Sequence, residues 1–193
     1  LDYSTFLEEN AKYQINSKKC KGLLIFNDSN KNINNAKILE YKEKIEKMKK
    51  HMENEQLMLI KASSESIMDL IIGTLIGCNY YEINFPHVYA QNGQCLNFAF
   101  NEFKEDKYYG KISDLPNLDF EPNLLDMNDI KYGNETINIT EGCECFSCLT
   151  GYKRSYICHL FKCKELNGPI IISTHNYYQV RQLYKKLTEY KGD

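Results

Sequence analysis

Residues 57–85 read LMLIKASSESIMDLIIGTLIGCNYYEINF, and this stretch decides the fold class. Leu57 to Lys61 is an apolar run of strand length. Ser64 can cap a helix that buries Ile67, Leu70, Ile71 and Leu75 at spacings of three and four, and Gly77 can stop it. Tyr80 to Phe85 is a second strand. Upstream the same grammar repeats. Gly22 to Phe26 reads as a buried strand ending in the turn-rich Asn27-Asp28-Ser29-Asn30. A helix is then expected over Ala36 to Glu55, with Ile38, Tyr41, Ile45, Met48 and Met52 on one face. Strands joined by helical crossovers pair in parallel, so an α/β fold follows. Three such strands do not close a barrel.

Beyond Phe85 the pattern changes. Gln94 to Phe100 is β-rich, and residues 101–135, with Pro116 and Pro122, form a polar stretch expected to lack regular structure. Order is expected to resume at Thr136–Thr140. A helix near Lys153–Leu166, a strand over Pro169–Thr174 and a final helix over Asn176–Tyr190 should follow. No apolar run approaches the ~20 residues that span a bilayer. The longest, Ile67 to Cys78, is broken by Asp69 and two glycines, so no integral membrane segment is expected. The first residues, LDYSTFLEEN, lack both the basic start and the apolar stretch of a signal peptide, and they do not begin with methionine. The chain is expected to be a fragment of something longer.

The net charge of −2 conceals an asymmetry. Residues 101–145 carry eleven acidic and four basic side chains, whereas residues 151–193 carry eight basic and three acidic ones. The basic tail is the part expected to meet a polyanion, through Lys153, Arg154, Arg181, Lys185 and Lys186, with Arg154 first. Ordinary solvated charge is the alternative. Tyr177, Leu183, Tyr184 and Leu187, at helical spacing, are expected to pack or to face a partner.

Of eight cysteines, three fall within six residues, Cys143-Glu144-Cys145-Phe146-Ser147-Cys148, and the rest are scattered. Clustering of this kind, without secretory features, points to metal ligands rather than disulfides. A Cys-x-Cys-x-x-Cys knuckle aims three sulfurs at one point, and a tetrahedral ion needs a fourth ligand. His175, placed after the expected strand Pro169–Thr174, is well suited. Cys158, His159 and Cys163 compete, and a four-cysteine iron–sulfur site stays open. With His175 the set is Cys143, Cys145, Cys148 and His175, a closed structural Zn2+ site. The expected organisation is a partial barrel over 1–100, an insertion over 101–135, and a zinc-binding subdomain with closing helices over 136–193.

These residues resemble a family. The cysteine knuckle, Arg154-Ser155-Tyr156-Ile157-Cys158-His159-Leu160, Glu165-Leu166 and Ser173-Thr174-His175-Asn176 are similar to the C-terminal zinc region of tRNA-guanine transglycosylases, with one extra residue between Cys148 and Arg154. Gly77-Cys78-Asn79-Tyr80-Tyr81-Glu82, Phe85-Pro86 and Gln91-Asn92-Gly93 extend the match upstream. It covers Leu57 to Lys186 apart from the 101–135 insertion and is weak before that. The resemblance implies the C-terminal part of a TIM (β/α)8 barrel with a zinc-binding subdomain, and base exchange at the tRNA wobble guanine. The departures bear on activity. Glu82 stands where the catalytic members place a nucleophilic aspartate, and a shift of about 1 Å there can cost ~10²-fold. Ser63-Ser64-Glu65 replaces a glycine-rich substrate loop, His87-Val88 a threonine–arginine pair, and Gln91 an arginine. This pattern resembles the non-catalytic, accessory branch of the eukaryotic enzymes. It implies partners in tRNA and in a catalytic subunit or a second copy, and a cytoplasmic protein with a peripheral place on the mitochondrial surface. The alternative is an active transglycosylase with Glu82 as nucleophile.

Overall fold

The computed structural model describes residues 22–25, 42–43, 45–47, 58–64, 66–75, 77–98 and 123–189. Two compact units meet in the sequence between Ile83 and Asn84.

In the first unit, strands β1 (Gly22–Ile25), β2 (Met58–Ser64) and β3 (Tyr80–Ile83) form a parallel sheet in the order β1-β2-β3. Gly22 pairs with Met58 and Ile60 with Tyr80, and the register shifts between Lys61 and Ser64. Of the helix expected over Ala36–Glu55, only 42–43 and 45–47 are described; they are helical, with Ile45 buried.

Helix α1 (Ile67–Leu75) makes the β2-to-β3 crossover and buries Ile67, Leu70, Ile72 and Gly73. Its cap is Ser66 rather than the expected Ser64, which still belongs to β2. Ser66 accepts from the Asp69 N–H at 3.2 Å, and the Asp69 carboxylate accepts from the Ser66 N–H at 3.1 Å. The spacing of three between serine and a carboxylate makes this a capping box, which Ser64 could not form with Asp69. At the other end Gly77 adopts φ +92°. Its N–H reaches the Thr74 carbonyl, and that of Cys78 reaches Gly73. This αL termination is the one glycine favours. A methyl group on Gly73 would sit 2.7 Å from the Tyr81 ring. The bare glycine therefore lets β3 lie close against α1, where the Tyr81 hydroxyl meets Thr74 at 2.8 Å.

The second unit begins with α2 (Phe85–Gln91), so Phe85 opens a helix instead of closing the strand expected over 80–85. The Pro86 ring fits there because first-turn N–H groups have no intrahelical partner. Strand β4 (Gln94–Leu96) pairs antiparallel with β5 (Leu124–Asp126), Cys95 opposite Leu125. A 3₁₀ turn spans Ile130–Asn134. Within the stretch expected to lack regular structure, residues 123–135 are thus ordered; residues 101–122 lie outside the described residues. Thr136–Thr140 contributes a single bridge, Asn138 to Lys153.

Three helices follow: α3 (Phe146–Leu149), α4 (Arg154–Lys162) and α5 (Asn167–Glu189). The strand expected over Pro169–Thr174 is therefore the first part of a 23-residue helix. Pro169 falls in the first turn, where its missing donor costs nothing. The buried positions Gly168, Ile171, Ile172, His175, Asn176, Gln179 and Val180 recur at helical spacing. Three of these seven positions are polar, so the hydropathy pattern hides the start of the helix; the helix expected over Asn176–Tyr190 is its later part. The core gathers Ala90, Cys95, Met127, Ile139, Ile157 and Ile172.

Among the described residues the strands are three parallel and two antiparallel, with no closed barrel. No helix among them is long and apolar enough to cross a membrane.

Candidate metal centre

Gly142 and Gly151, at φ +71° and +90°, bracket a tight knuckle. Cys145 is the cap of α3, and its sulfur accepts the Cys148 N–H at 3.3 Å. The Ser147 hydroxyl donates to the Ile171 carbonyl at 2.8 Å and fixes the knuckle to α5. That contact brings His175, one turn along α5 from Ile171, over the three sulfurs. His175 Nδ1 lies 3.7, 3.3 and 3.6 Å from the sulfurs of Cys143, Cys145 and Cys148. All four donor atoms lie within 4.8 Å of one another. With metal–sulfur bonds of about 2.3 Å and metal–nitrogen bonds of about 2.0–2.1 Å at tetrahedral angles, sulfur and nitrogen sit about 3.6 Å apart. The four residues can therefore hold one tetrahedral metal ion, leaving no position for water.

The imidazole is aimed from behind. Its Nε2–H donates to the Leu96 carbonyl at 2.8 Å, which leaves Nδ1 as the lone-pair donor. Burial opposes a charged ring, but hydrogen bonding to Cys143 and Cys148 outweighs it and pushes His175 up to about 9. Hydrogen bonds from Cys145 and Cys148 hold the Cys143 thiol far below its usual range. Hydrogen bonding to Cys143 and Cys148 pushes Cys145 up.

The competing ligands lie elsewhere. Cys158 is buried with its sulfur 3.7 Å from the Asp129 carbonyl. Cys163 is exposed at the end of α4, 3.6 Å from His159 Nε2, and among the described residues no third ligand joins them.

A family model described as queuine tRNA-ribosyltransferase matches residues 18–189. The chain belongs to the queuine tRNA-ribosyltransferase family. It is 30% identical over 148 residues to a queuine tRNA-ribosyltransferase-like protein of Plasmodium falciparum, covering 69% of this chain and 58% of that one. It is 24% identical over 121 residues to the queuine tRNA-ribosyltransferase accessory subunit 2 of Culex quinquefasciatus, covering 63% of this chain and 25% of that one. A queuine tRNA-ribosyltransferase of Chlamydia pneumoniae is 39% identical over 59 residues, 31% of this chain and 16% of that enzyme. The chain thus spans less than two thirds of the length of these relatives.

The other residues expected in a queuine tRNA-ribosyltransferase site are placed as follows. Glu82 is exposed on β3. Ser63 and Ser64 end β2, and Glu65 lies outside the described residues. His87, Val88 and Gln91 are exposed on α2. Arg181, Lys185 and Lys186 are exposed on α5.

Lys153 and Arg154 are committed internally. Lys153 Nζ donates to Asn138 Oδ1 at 2.8 Å. Arg154 Nε and Nη2 donate to the Ile139 carbonyl at 3.0 and 2.8 Å, and Nη1 pairs with Glu135 at 2.8 Å. Its guanidinium also lies 5.6 Å from the centre of the Tyr132 ring. Arg154 clamps the segment that leads into the knuckle.

Sequence reasoning did not single out Asn176 and Gln179, which are buried beside the ligands. Asn176 Oδ1 accepts the Leu96 N–H at 2.8 Å, and its Nδ2 donates to the Pro86 and Gln94 carbonyls. The signal available was three polar residues, His175, Asn176 and Gln179, on an otherwise apolar helical face.

Proposed function

We propose that this chain is the zinc-bearing C-terminal portion of a non-catalytic subunit of a queuine tRNA-ribosyltransferase, which helps bind tRNA and pairs with a catalytic subunit or a second copy. The parallel strands β1–β3 would then belong to a (β/α)8 barrel completed by further chain. The carrying observation is a contrast: the Cys143, Cys145, Cys148, His175 constellation is complete, while the carboxylate on β3 is the longer Glu82. Zinc suits the donor set because three thiolates and one imidazole, all from protein, are its usual structural ligands. Zinc would act here as a staple, supplying folding free energy and no chemistry.

Partner binding is supported by an apolar surface on the second unit. Phe146, Leu149, Tyr156 and Ile170 are all exposed, on α3, α4 and α5. A cleft of about 180 Å³ is lined by Phe146, Tyr156 and Ile170 of this set, and by Tyr152, whose ring stacks on Tyr156 at 5.8 Å. Exposed apolar clusters of this kind are recurrent marks of protein–protein contact. For tRNA, the exposed Arg181, Lys185 and Lys186 on α5 are the phosphate contacts proposed here.

The second reading keeps the chemistry, with Glu82 as the nucleophile; the exposed position of its carboxylate favours it. Exchange of labelled guanine into tRNA separates the two. With the barrel completed by its further chain, the accessory reading expects no exchange by this subunit alone and retention of the catalytic subunit on a column carrying it. Exchange by the chain alone, abolished in Glu82→Gln, would establish the second reading.

A further inference from the structure

Gln179 is 2% exposed, and a buried carboxamide must place both ends on partners. One end is unambiguous. The Phe98 N–H donates to Gln179 Oε1 at 3.3 Å, and a backbone N–H can only meet the oxygen. The amide is thereby oriented, and Nε2 is left 3.3 Å from the Cys143 sulfur. Cys143 is the one ligand of the four that is not fully buried. Cys145, deep in the cluster, already receives the N–H of Cys148. The sulfur at the accessible edge of the site therefore takes its hydrogen bond from a side chain on α5, one turn beyond His175.

We propose that Gln179 is a positioning residue of the metal centre. Its Nε2–H donates to the Cys143 thiolate, and its Oε1 ties that thiolate to the backbone at Phe98. A donor aimed at a thiolate withdraws charge from the sulfur, makes it harder to protonate and fixes its direction toward the ion. The ligand most open to exchange is thus held by the same helix that supplies the imidazole. The inference rests on the reading that Cys143, Cys145, Cys148 and His175 hold a metal ion.

The test uses the full chain loaded with cobalt(II), as wild type, Gln179→Glu, Gln179→Leu and Asn176→Leu. Two quantities are read: the sulfur-to-cobalt charge-transfer band, and the rate of metal release to a chromogenic chelator. Both Gln179 variants are expected to move the band to longer wavelength and to lower metal affinity by about 10–100-fold, with correspondingly faster release. Asn176→Leu, which removes buried hydrogen bonds to backbone but none to sulfur, is expected to destabilise the fold and leave the band in place. Should Gln179→Leu not fold, Gln179→Glu keeps the volume and the oxygen that faces Phe98. A Gln179→Glu protein with wild-type band and release rate overturns the inference while leaving the metal reading intact. A wild-type chain that takes up neither cobalt nor zinc overturns both.

Discussion

The two units of this molecule are held by different parts of the polypeptide. In the first, the described structure is the parallel ladder of β1, β2 and β3 with the apolar face of α1, and Ser66 with Asp69 and Thr74 with Tyr81 bond near the two ends of α1. In the second, the sheet is two strands of three residues, and the organising contacts run from buried side chains to backbone. Ser147 bonds Ile171, His175 and Asn176 bond Leu96, Gln179 bonds Phe98, and Arg154 bonds Ile139. Leu96 offers both N–H and C=O away from β5, and α5 satisfies them with His175 and Asn176. An unpaired strand edge would otherwise invite pairing with another chain. A unit of this kind relies on a few side chains, and it should fail when one of them is lost.

Metal removal is the largest expected effect and the sharpest way to break the comparison. Structural zinc contributes on the order of 10–16 kcal/mol in small domains. A strong chelator, or Cys145→Ser, should abolish amide protection across α3, α4 and α5. The β1–β3 ladder should keep its protection, because none of the four ligands belongs to it. Hydrogen exchange read peptide by peptide tests this. Protection lost equally in both units would show that the division is not energetic. Elemental analysis should give one zinc per chain, lost in His175→Ala.

Arg154→Met comes next, at about 2–4 kcal/mol. It strips two donors from the Ile139 carbonyl, whose residue is fully buried, and leaves Glu135 unpaired. Denaturant unfolding followed at a probe in α4 would measure it. Unchanged stability with weakened tRNA binding would return Arg154 to the phosphate role that its sequence position suggested.

The same contrast explains what could be read in advance. The βαβ grammar of residues 57–85 was legible because backbone ladders impose periodic burial, and burial leaves a hydropathy pattern. The three cysteine ligands were legible from their clustering, whereas His175 was chosen for its place after an expected strand that is in fact the first part of α5. The later part of α5 was legible as the helix expected over Asn176–Tyr190, but its first part was not, since Ile170-Ile171-Ile172 after a proline imitates a buried strand. Nor was the fate of Arg154. A cation beside the knuckle reads as surface charge until Glu135 and the Ile139 carbonyl are known to lie within reach. Structure held by side chains meeting distant backbone leaves little periodic trace.

In the first unit a single side chain should matter less. Ser66→Ala removes the acceptor for the Asp69 N–H and is expected to cost about 1 kcal/mol. The loss should appear as increased exchange in α1 and β3, with metal content unchanged. A loss of zinc on this substitution would contradict the independence of the two units.

The smallest effect on stability belongs to the exposed cations of α5. Arg181, Lys185 and Lys186 are exposed on the later turns of the helix whose earlier turns carry His175 and Gln179. The contact of Lys185 with Glu189, at 3.7 Å between two exposed side chains, adds little to the fold. Replacing all three by glutamine should change unfolding free energy by no more than about 0.5 kcal/mol. If these groups meet tRNA phosphates, each lost contact should also lower the slope of log affinity against log salt by about 0.7–0.9. Affinity would fall for every tRNA tested, because phosphate contacts position without reading sequence. Titrations at several salt concentrations separate the cases: a slope unchanged in the triple variant would place the tRNA surface off this face of α5. A reduced slope with the band of the cobalt-loaded protein unmoved would show one helix serving the metal through His175 and Gln179 and the nucleic acid through its exposed cations.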